Sequence, residues 1–418
     1  MKRLSQYWVP FSATIALGAC SDGSPPTETE DQLRARAASI HRNVLTIDTH
    51  DDIPFNFATA AVDPLDANRQ LNLEKMRAGE LDTAFFIVYV GQTERTEENY
   101  ARAKADATIK FSAIHRMAEH LYPDQIEIAY SADDVERIHA EGKLVAAIGI
   151  ENGYVIGRDI SLLETYHELG ARYITLAHGG HNDIADSATP RSQFGDDAAE
   201  HDGVSEFGEQ VIAEMNRLGI LVDVSHISKA AALDAMRLSE APVIASHSSM
   251  LALADHPRNM DDETLLALRD NGGVVQAVAL GAFVKVQPPE HNAARDTLWD
   301  ELGITSPADI RNLTPGLLQR YEAGMRDIDS QWPPANVEDF VDHIDHAVSL
   351  IGIDHVGIAS DFDGGGGVDG WQDASETGNV TLELVRRGYS EEDITKLWSG
   401  NVLRVWREAE AVAAAGGA

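Results

Sequence analysis

Two metal-ligand side chains stand one residue apart early in the chain: His50 and Asp52, in the run DTHDDIP (48–54). An apolar run at 44–47 leads into them and reads as a short buried strand. Residues i and i+2 of a strand point to the same side, so this imidazole and this carboxylate can reach a single ion. A lone His-x-Asp recurs by chance. Its weight comes from other apolar runs that also end in His, Glu or Asp. Glu151 ends the run 144–150, His178 the run 171–177, His226 the run 219–225, His247 the run 242–246 and Asp361 the run 355–360.

The chain holds 16 histidines. A single strand-end histidine is more often structural or superficial than a ligand, and His41, His115, His120 and His201 are read that way. His50, Asp52, Glu151, His226 and His247 differ, because all five fall at or beside the C-terminal ends of apolar runs. Crowding such imidazoles and carboxylates together without a cation is costly. Five ligands also exceed the three plus water usual for one catalytic zinc. Two ions sharing Glu151 fit better, with His50 and Asp52 on one and His226 and His247 on the other. Two such ions, about 3.5–4 Å apart, hold a bridging hydroxide that is nucleophilic at neutral pH. Nitrogen and carboxylate donors without thiolate suit two Zn²⁺ per chain, and Mn²⁺, Co²⁺ or Fe²⁺ use the same donors.

The elements that must position these residues alternate in type. Further apolar runs at 82–90 and 273–280 bring the strands to eight, and helical patterns occupy 33–43, 99–122, 206–218 and 262–270. Strands alternating with helices imply a parallel sheet, and continuous apolar strands imply burial on both faces. About eight such units predict an α/β fold of the (β/α)₈ TIM-like barrel type, whose chemistry gathers at the C-terminal ends of the strands. The stretch 285–334 is too long for a βα connection and holds a helical piece at 315–325. It is expected to be an inserted helical segment over the site, before the last strand.

Composition narrows the partners. The chain of 418 residues is 44% hydrophobic and 24% charged, which is ordinary globular composition. Its 68 acidic against 33 basic residues give a net charge of −35. That argues against nucleic acid or an anionic membrane surface as partner. At the N-terminus, Lys2 and Arg3 precede an apolar stretch at 7–17 that is too short to span a bilayer. The run LGAC (17–20) then resembles a bacterial lipoprotein signal, with 1–19 removed and Cys20 lipidated. A plain cleaved signal with a chance cysteine is the simpler alternative. Cys20 is the only cysteine, so neither a disulfide nor a multi-thiolate metal site forms within the chain. Residues 20–32 are expected to be a flexible tether and 33–418 a single domain. The protein is then exported and lipid-anchored at the cell envelope. Ser21 rather than Asp after the cysteine points to the periplasmic face of the outer membrane.

Beyond 48–54, the runs GIENG (149–153), YITLAH (173–178), RLGILVDVSH (217–226) and APVIASHSS (241–249) occur in order, followed by PRN (257–259), GIASDFDG (357–364) and GNVLR (400–404). Together they resemble the membrane (renal) dipeptidase family of zinc metallopeptidases, within the amidohydrolase-like barrels. The likeness covers about 44–405. It implies a binuclear zinc barrel that hydrolyses dipeptides, both L-Xaa-L-Xaa and L-Xaa-D-Xaa. Carried over residue by residue, it implies His50, Asp52, Glu151, His226 and His247 as metal ligands. It places His178 at the substrate carbonyl and developing oxyanion, Arg258 on the substrate carboxylate and Asp361 as proton shuttle. From spacing alone, Arg258 is equally consistent with a surface salt bridge. The expected partner is a dipeptide, with membrane contact only through the N-terminal lipid and a homodimer allowed.

The chain also departs from the family. Many members carry a C-terminal lipid anchor or are cytosolic, in contrast to attachment at Cys20. The loop GGHNDIADS (179–187) differs from the animal version, and 285–334 matches no family motif. Side-chain preference is therefore left open. Two other functions share this site inventory. One is a related amidohydrolase acting on β-lactams, lactones or N-acyl amino acids. The other is a non-catalytic peptide-binding lipoprotein, which would be expected to lack a ligand or Asp361, and none is missing.

Overall fold

Nine parallel strands form the sheet of the computed structural model, which describes residues 28–310 and 313–416. They are β1 (Ile47–Asp52), β2 (Thr83–Tyr89), β3 (Ile126–Ile128), β4 (Leu144–Glu151), β5 (Ala171–Thr175), β6 (Leu221–Asp223), β7 (Ile244–Ala245), β8 (Val274–Val278) and β9 (Val356–Ala359). Hydrogen-bonded neighbours run β1-β2-β4-β5-β6-β7-β8-β9. The ring closes where Asp51 bridges Phe362 in parallel and the Asp52 N–H donates to the Phe362 carbonyl at 2.9 Å. Eight strands thus make the predicted (β/α)₈ barrel. The extra strand, β3, pairs with the first half of β4 while β5 takes the second half.

Two apolar layers explain why the strands read as unbroken hydrophobic runs. Ala84, Phe86, Ile148, Ile150, Ile174 and Val275 pack outward against the helical ring. The alternate residues Phe85, Val145, Ala147, Tyr173, Leu221 and Ile244 form a second cluster inside the barrel. The helix Asn401–Gly416 closes its lower end, with the Trp406 ring 5.7 Å from Phe85. On β4 the inward series Val145, Ala147, Gly149 continues to Glu151, because strand side chains alternate. Gly149 has no side chain for a reason of space, since a Cβ there would overlap the Tyr173 ring.

Several boundaries differ from the sequence expectation. His50 and Asp52 lie within β1 rather than after it, because polar residues at a buried barrel mouth still pair in the ladder. The first helix is Glu30–Asn43, and its Thr29–Gln32 capping box falls inside the stretch read as tether. Cys20 and the rest of 1–27 lie outside the described residues. The helices Leu73–Ala78 and Ala132–Ala140 and the strand β3 have no counterpart in the expectation. The insertion contains Pro289–Leu302, Pro307–Ile310 and Pro315–Asp329, and the first and last of these pack on each other. Among the described residues, no helix is long and apolar enough to cross a membrane.

Candidate metal centre

The mouth of the barrel gathers the strand-end ligands around one carboxylate oxygen. Oε1 of Glu151 lies 2.9 Å from Nε2 of His226, 3.4 Å from His247, and 3.6 Å from both His50 and His178. Nε2 of His226 and His247 approach to 2.8 Å, and the His50 and His247 rings lie 3.7 Å apart between centroids. Asp52 Oδ2 stands 3.8 Å from His50 Nε2. Three ligand-competent groups result: His50 with Glu151 and His247, Glu151 with His178 and His226, and His50 with Asp52 and Asp361.

The backbone pays strain to achieve this. His226 and Asp361 lie just past the ends of β6 and β9 and take φ of +68° and +61°, and Asn152, next to Glu151, takes +89°. Left-handed conformations are uncommon for residues with side chains and concentrate at functional sites. Gly364 leaves room for the result, because a Cβ there would collide with the carboxylates of Asp361 and Asp52.

A set of buried partners turns the imidazoles so that bare nitrogens face inward. His50 Nδ1 is 3.0 Å from Tyr173 Oη, and that phenol donates its own proton to the Thr49 carbonyl at 2.9 Å. The phenol must therefore accept from His50 Nδ1–H, which leaves Nε2 unprotonated. His247 Nδ1 lies 2.8 Å from Ser246 Oγ, which donates to Asp223 at 2.7 Å, so His247 is oriented in the same sense. Asp223 is buried and also accepts the N–H groups of Ser225 and Ser246. Outer partners that fix the tautomer in this way are the rule around metal-bound histidine.

The proton inventory points the same way. Burial lowers the imidazoles, His50 to about 4 and His226 and His247 well below their ordinary value. Burial raises Glu151, but the imidazoles of His178, His50 and His226 outweigh it and hold the carboxylate below its usual range. His50 Nε2 is buried without a hydrogen-bond partner among the described residues. An orphaned lone pair beside an ionised carboxylate is the donor set a divalent ion takes up. The residues therefore fit a metal.

Around this core is a cleft of about 330 Å³, lined by Asp52, Tyr89, His178, Phe283 and Asp361 among others. The Tyr89 ring lies 4.8 Å from His178. Arg258 is buried, donates from Nη2 to the His247 carbonyl at 3.1 Å, and stacks 5.4 Å over Phe283. Its Nε has no partner among the described residues, which excludes the surface salt bridge that spacing alone allowed. Asp361 is pushed well above the usual carboxylate range by burial and by Asp52 and Glu151. Leu280 and Phe283 line the cleft at the root of the insertion, but among the described residues of 285–334 none lines it, so the expected cover over the site is not part of its described wall.

Residues 34–417 match the family model described as Membrane dipeptidase (Peptidase family M19). The chain belongs to this family. Among its relatives, Dipeptidase ataJ of Aspergillus terreus is 33% identical over 406 residues, covering 90% of this chain and 88% of its own. Dipeptidase tcpJ of Claviceps purpurea is 34% identical over 349 residues, covering 82% of this chain and 70% of its own. The crystal structure of the probable dipeptidase PvdM from Pseudomonas aeruginosa superposes with a TM-score of 0.80 at 33% identity, over 92% of this chain and all of that one. The fold is also shared with a metallopeptidase from Rhodobacter sphaeroides, liganded with a phosphinate mimic of the dipeptide L-Ala-D-Ala, at TM-score 0.67 and 22% identity, over 88% of this chain and 99% of that one. The chain is accordingly a metal-dependent dipeptidase of the M19 type.

His50, Asp52, Glu151, His178, His226, His247 and Asp361 meet at one mouth, and Arg258 stands behind His247, lining a neighbouring cavity with His226 and Ser248. Tyr173, Ser246 and Asp223, which orient the ligands, carried no individual signal in the sequence. Tyr173 and Asp223 read only as members of strands. Lys110, buried beside the cleft on the helix Glu97–Arg116, was hidden in an alanine-rich helical pattern.

Proposed function

We propose that the chain hydrolyses the peptide bond of dipeptides, L-Xaa-L-Xaa and L-Xaa-D-Xaa, at a centre of two Zn²⁺ ions that share Glu151. His50 and Asp52 hold one ion, and His226 and His247 the other. The observation that carries this reading is the single oxygen of Glu151 within 2.9–3.6 Å of four imidazole nitrogens. When bound, the ions supply Lewis acidity and a water acidic enough to attack at neutral pH.

The chain's own groups do the rest. Arg258 binds the substrate carboxylate, for which a buried guanidinium with an unused N–H is suited. His178, at the cleft wall and backed by Tyr89, donates to the developing oxyanion. Asp361, which a dication beside it would keep ionised against the burial that raises it, accepts the proton of the attacking water and delivers it to the leaving amine. Metal analysis together with kinetics on both dipeptide series tests the reading. Two ions per chain and turnover abolished by chelation are expected, and Glu151→Gln should weaken both ions. One ion per chain at full activity overturns the binuclear centre. Turnover of β-lactams, lactones or N-acyl amino acids in preference to dipeptides overturns the substrate.

Attachment through lipidated Cys20, at the periplasmic face of the outer membrane, belongs to the same proposal and rests on the sequence alone. Intact mass of membrane-extracted protein should show a diacylglyceryl-type adduct. A soluble product cleaved beyond residue 20 overturns it.

A further inference from the structure

Just past the bridge between Asp51 and Phe362, the ladder that closes the ring stops. The Asp52 N–H donates to the Phe362 carbonyl at 2.9 Å. In a regular parallel ladder the Asp52 carbonyl would then accept from the N–H of Gly364, two residues on. That N–H turns back instead to the Asp361 carbonyl at 3.2 Å, as do those of Gly365 at 3.2 Å and Gly366 at 2.7 Å. The turn falls where Asp52 and Asp361 stand side by side, since a Cβ on Gly364 would meet the carboxylates of both. The end of β1 that carries Asp52 is therefore left without its next bond to the segment that carries Asp361.

Arg69 supplies that bond from a third segment. Its Nη2 donates to the Asp52 carbonyl and lies 2.9 Å from Oδ2 of Asp363, a residue of the cleft wall with φ of +63°. The guanidinium is buried and lies 5.5 Å over the Phe57 ring. The residues after it continue the join. The N–H groups of Gln70 and Leu71 donate to the Asp363 carboxylate at 3.2 and 3.0 Å, and the Asp363 N–H donates to Gln70 Oε1 at 2.8 Å. Gln70 Nε2 donates to the Gly366 carbonyl at 2.9 Å. Taking an ion pair out of water returns little stability. Its position, on the backbone of one proposed ligand and two residues from Asp361, points to geometry as its use.

We propose that Arg69 is a positioning residue of the metal centre: by holding the Asp52 carbonyl and the Asp363 carboxylate together, it fixes the ligand end of β1 against the turn that carries Asp361. This rests on the binuclear reading above. Without the guanidinium, the Asp52 carbonyl and the Asp363 carboxylate each lose a partner, and the Asp52 side chain is no longer held at a set distance from His50 and Asp361. The ion assigned to His50 and Asp52 should feel that loss. The ion assigned to His226 and His247, whose strands lie elsewhere in the ring, should not.

The test is chelator-competition titration of metal-stripped wild type and Arg69→Met with Zn²⁺ alone, with thermal unfolding of both proteins alongside. Arg69→Met is expected to weaken one of the two binding steps by roughly 10–100-fold, the range for losing an outer partner of a metal ligand, and to leave the other near wild type. A general loosening of the fold would not separate the steps. Two steps unchanged in a folded Arg69→Met overturn the proposal, and so do two steps weakened alike together with a lower Tm. If wild type takes up a single ion, the binuclear reading fails by itself. The role of Arg69 is then read on the remaining step, where weakening at unchanged Tm supports it and unchanged affinity overturns it. Should Arg69→Met not fold, Arg69→Gln, neutral and too short to reach both partners, carries the same test with the same expected sign.

Discussion

Tyr173 fixes the ring of His50. The phenol oxygen accepts from Nδ1 at 3.0 Å and gives its own proton to the Thr49 carbonyl at 2.9 Å. Tyr173→Phe keeps the packing inside the barrel and removes the hydroxyl, both the acceptor for His50 Nδ1 and the donor to the Thr49 carbonyl. Metal affinity at the His50 position is expected to fall roughly 10–100-fold, with the circular dichroism spectrum unchanged. Chelator competition reads the change. Unaltered affinity would show that the ring needs no such partner.

Arg258→Met should lower kcat/KM for dipeptides by about 2–5 kcal/mol, the range for breaking a buried charged pair. Amidating the C-terminus of the substrate should hurt the wild type to a similar extent and the variant little. Equal sensitivity in both proteins removes Arg258 from carboxylate binding.

Asp361→Asn preserves shape but cannot carry a proton. A kcat lowered by roughly 10²–10⁴-fold is expected, with metal content unchanged. Because Asp361 also lies within ligand range of His50 and Asp52, metal content is the decisive control. A lost ion makes Asp361 a ligand. Near-full activity with both ions in place sends the proton through another group, with His178 next in line.

Gly149→Ala places a methyl group where the Tyr173 ring now lies. Overpacking of this kind costs about 1–3 kcal/mol. Thermal unfolding should show the loss. Displacing Tyr173 should also weaken metal binding in the direction of Tyr173→Phe. A stable variant with full metal affinity would mean that the ring moves aside freely.

Much of this architecture was legible in the residues themselves. The runs ending in Glu151, His226 and His247 announce parallel strands buried on both faces, and the polar residue after each run marks the barrel mouth. What periodicity hides is which buried polar residue serves another. Tyr173 sits in an apolar run and reads as core, yet its hydroxyl turns His50. Asp223 reads as one more strand residue, yet it anchors Ser246 behind His247. Such pairings cross the barrel between residues distant in sequence, so no local pattern records them. Lys110 escaped for a related reason: helical period predicts a face, and only the assembled molecule shows what that face meets. β3 is three residues long, too short for a hydrophobic run to stand out.

The bridge between Asp51 and Phe362 joins the first strand of the ring to the segment just after its last, across about three quarters of the chain. During synthesis, His50, Glu151, His226 and His247 have all emerged long before Phe362 does. Until then the sheet is open, and its two terminal strands present unpaired edges that invite pairing with other chains. A ribosome-stalled or prematurely terminated product ending before β9 would hold most of the metal ligands and still be an aggregation hazard. Contacts so remote in sequence also form slowly. The finished ring is therefore one unit whose closing seam runs beside Asp52 and Asp361, and an ion gripped across that seam would act as a clasp as well as a reagent.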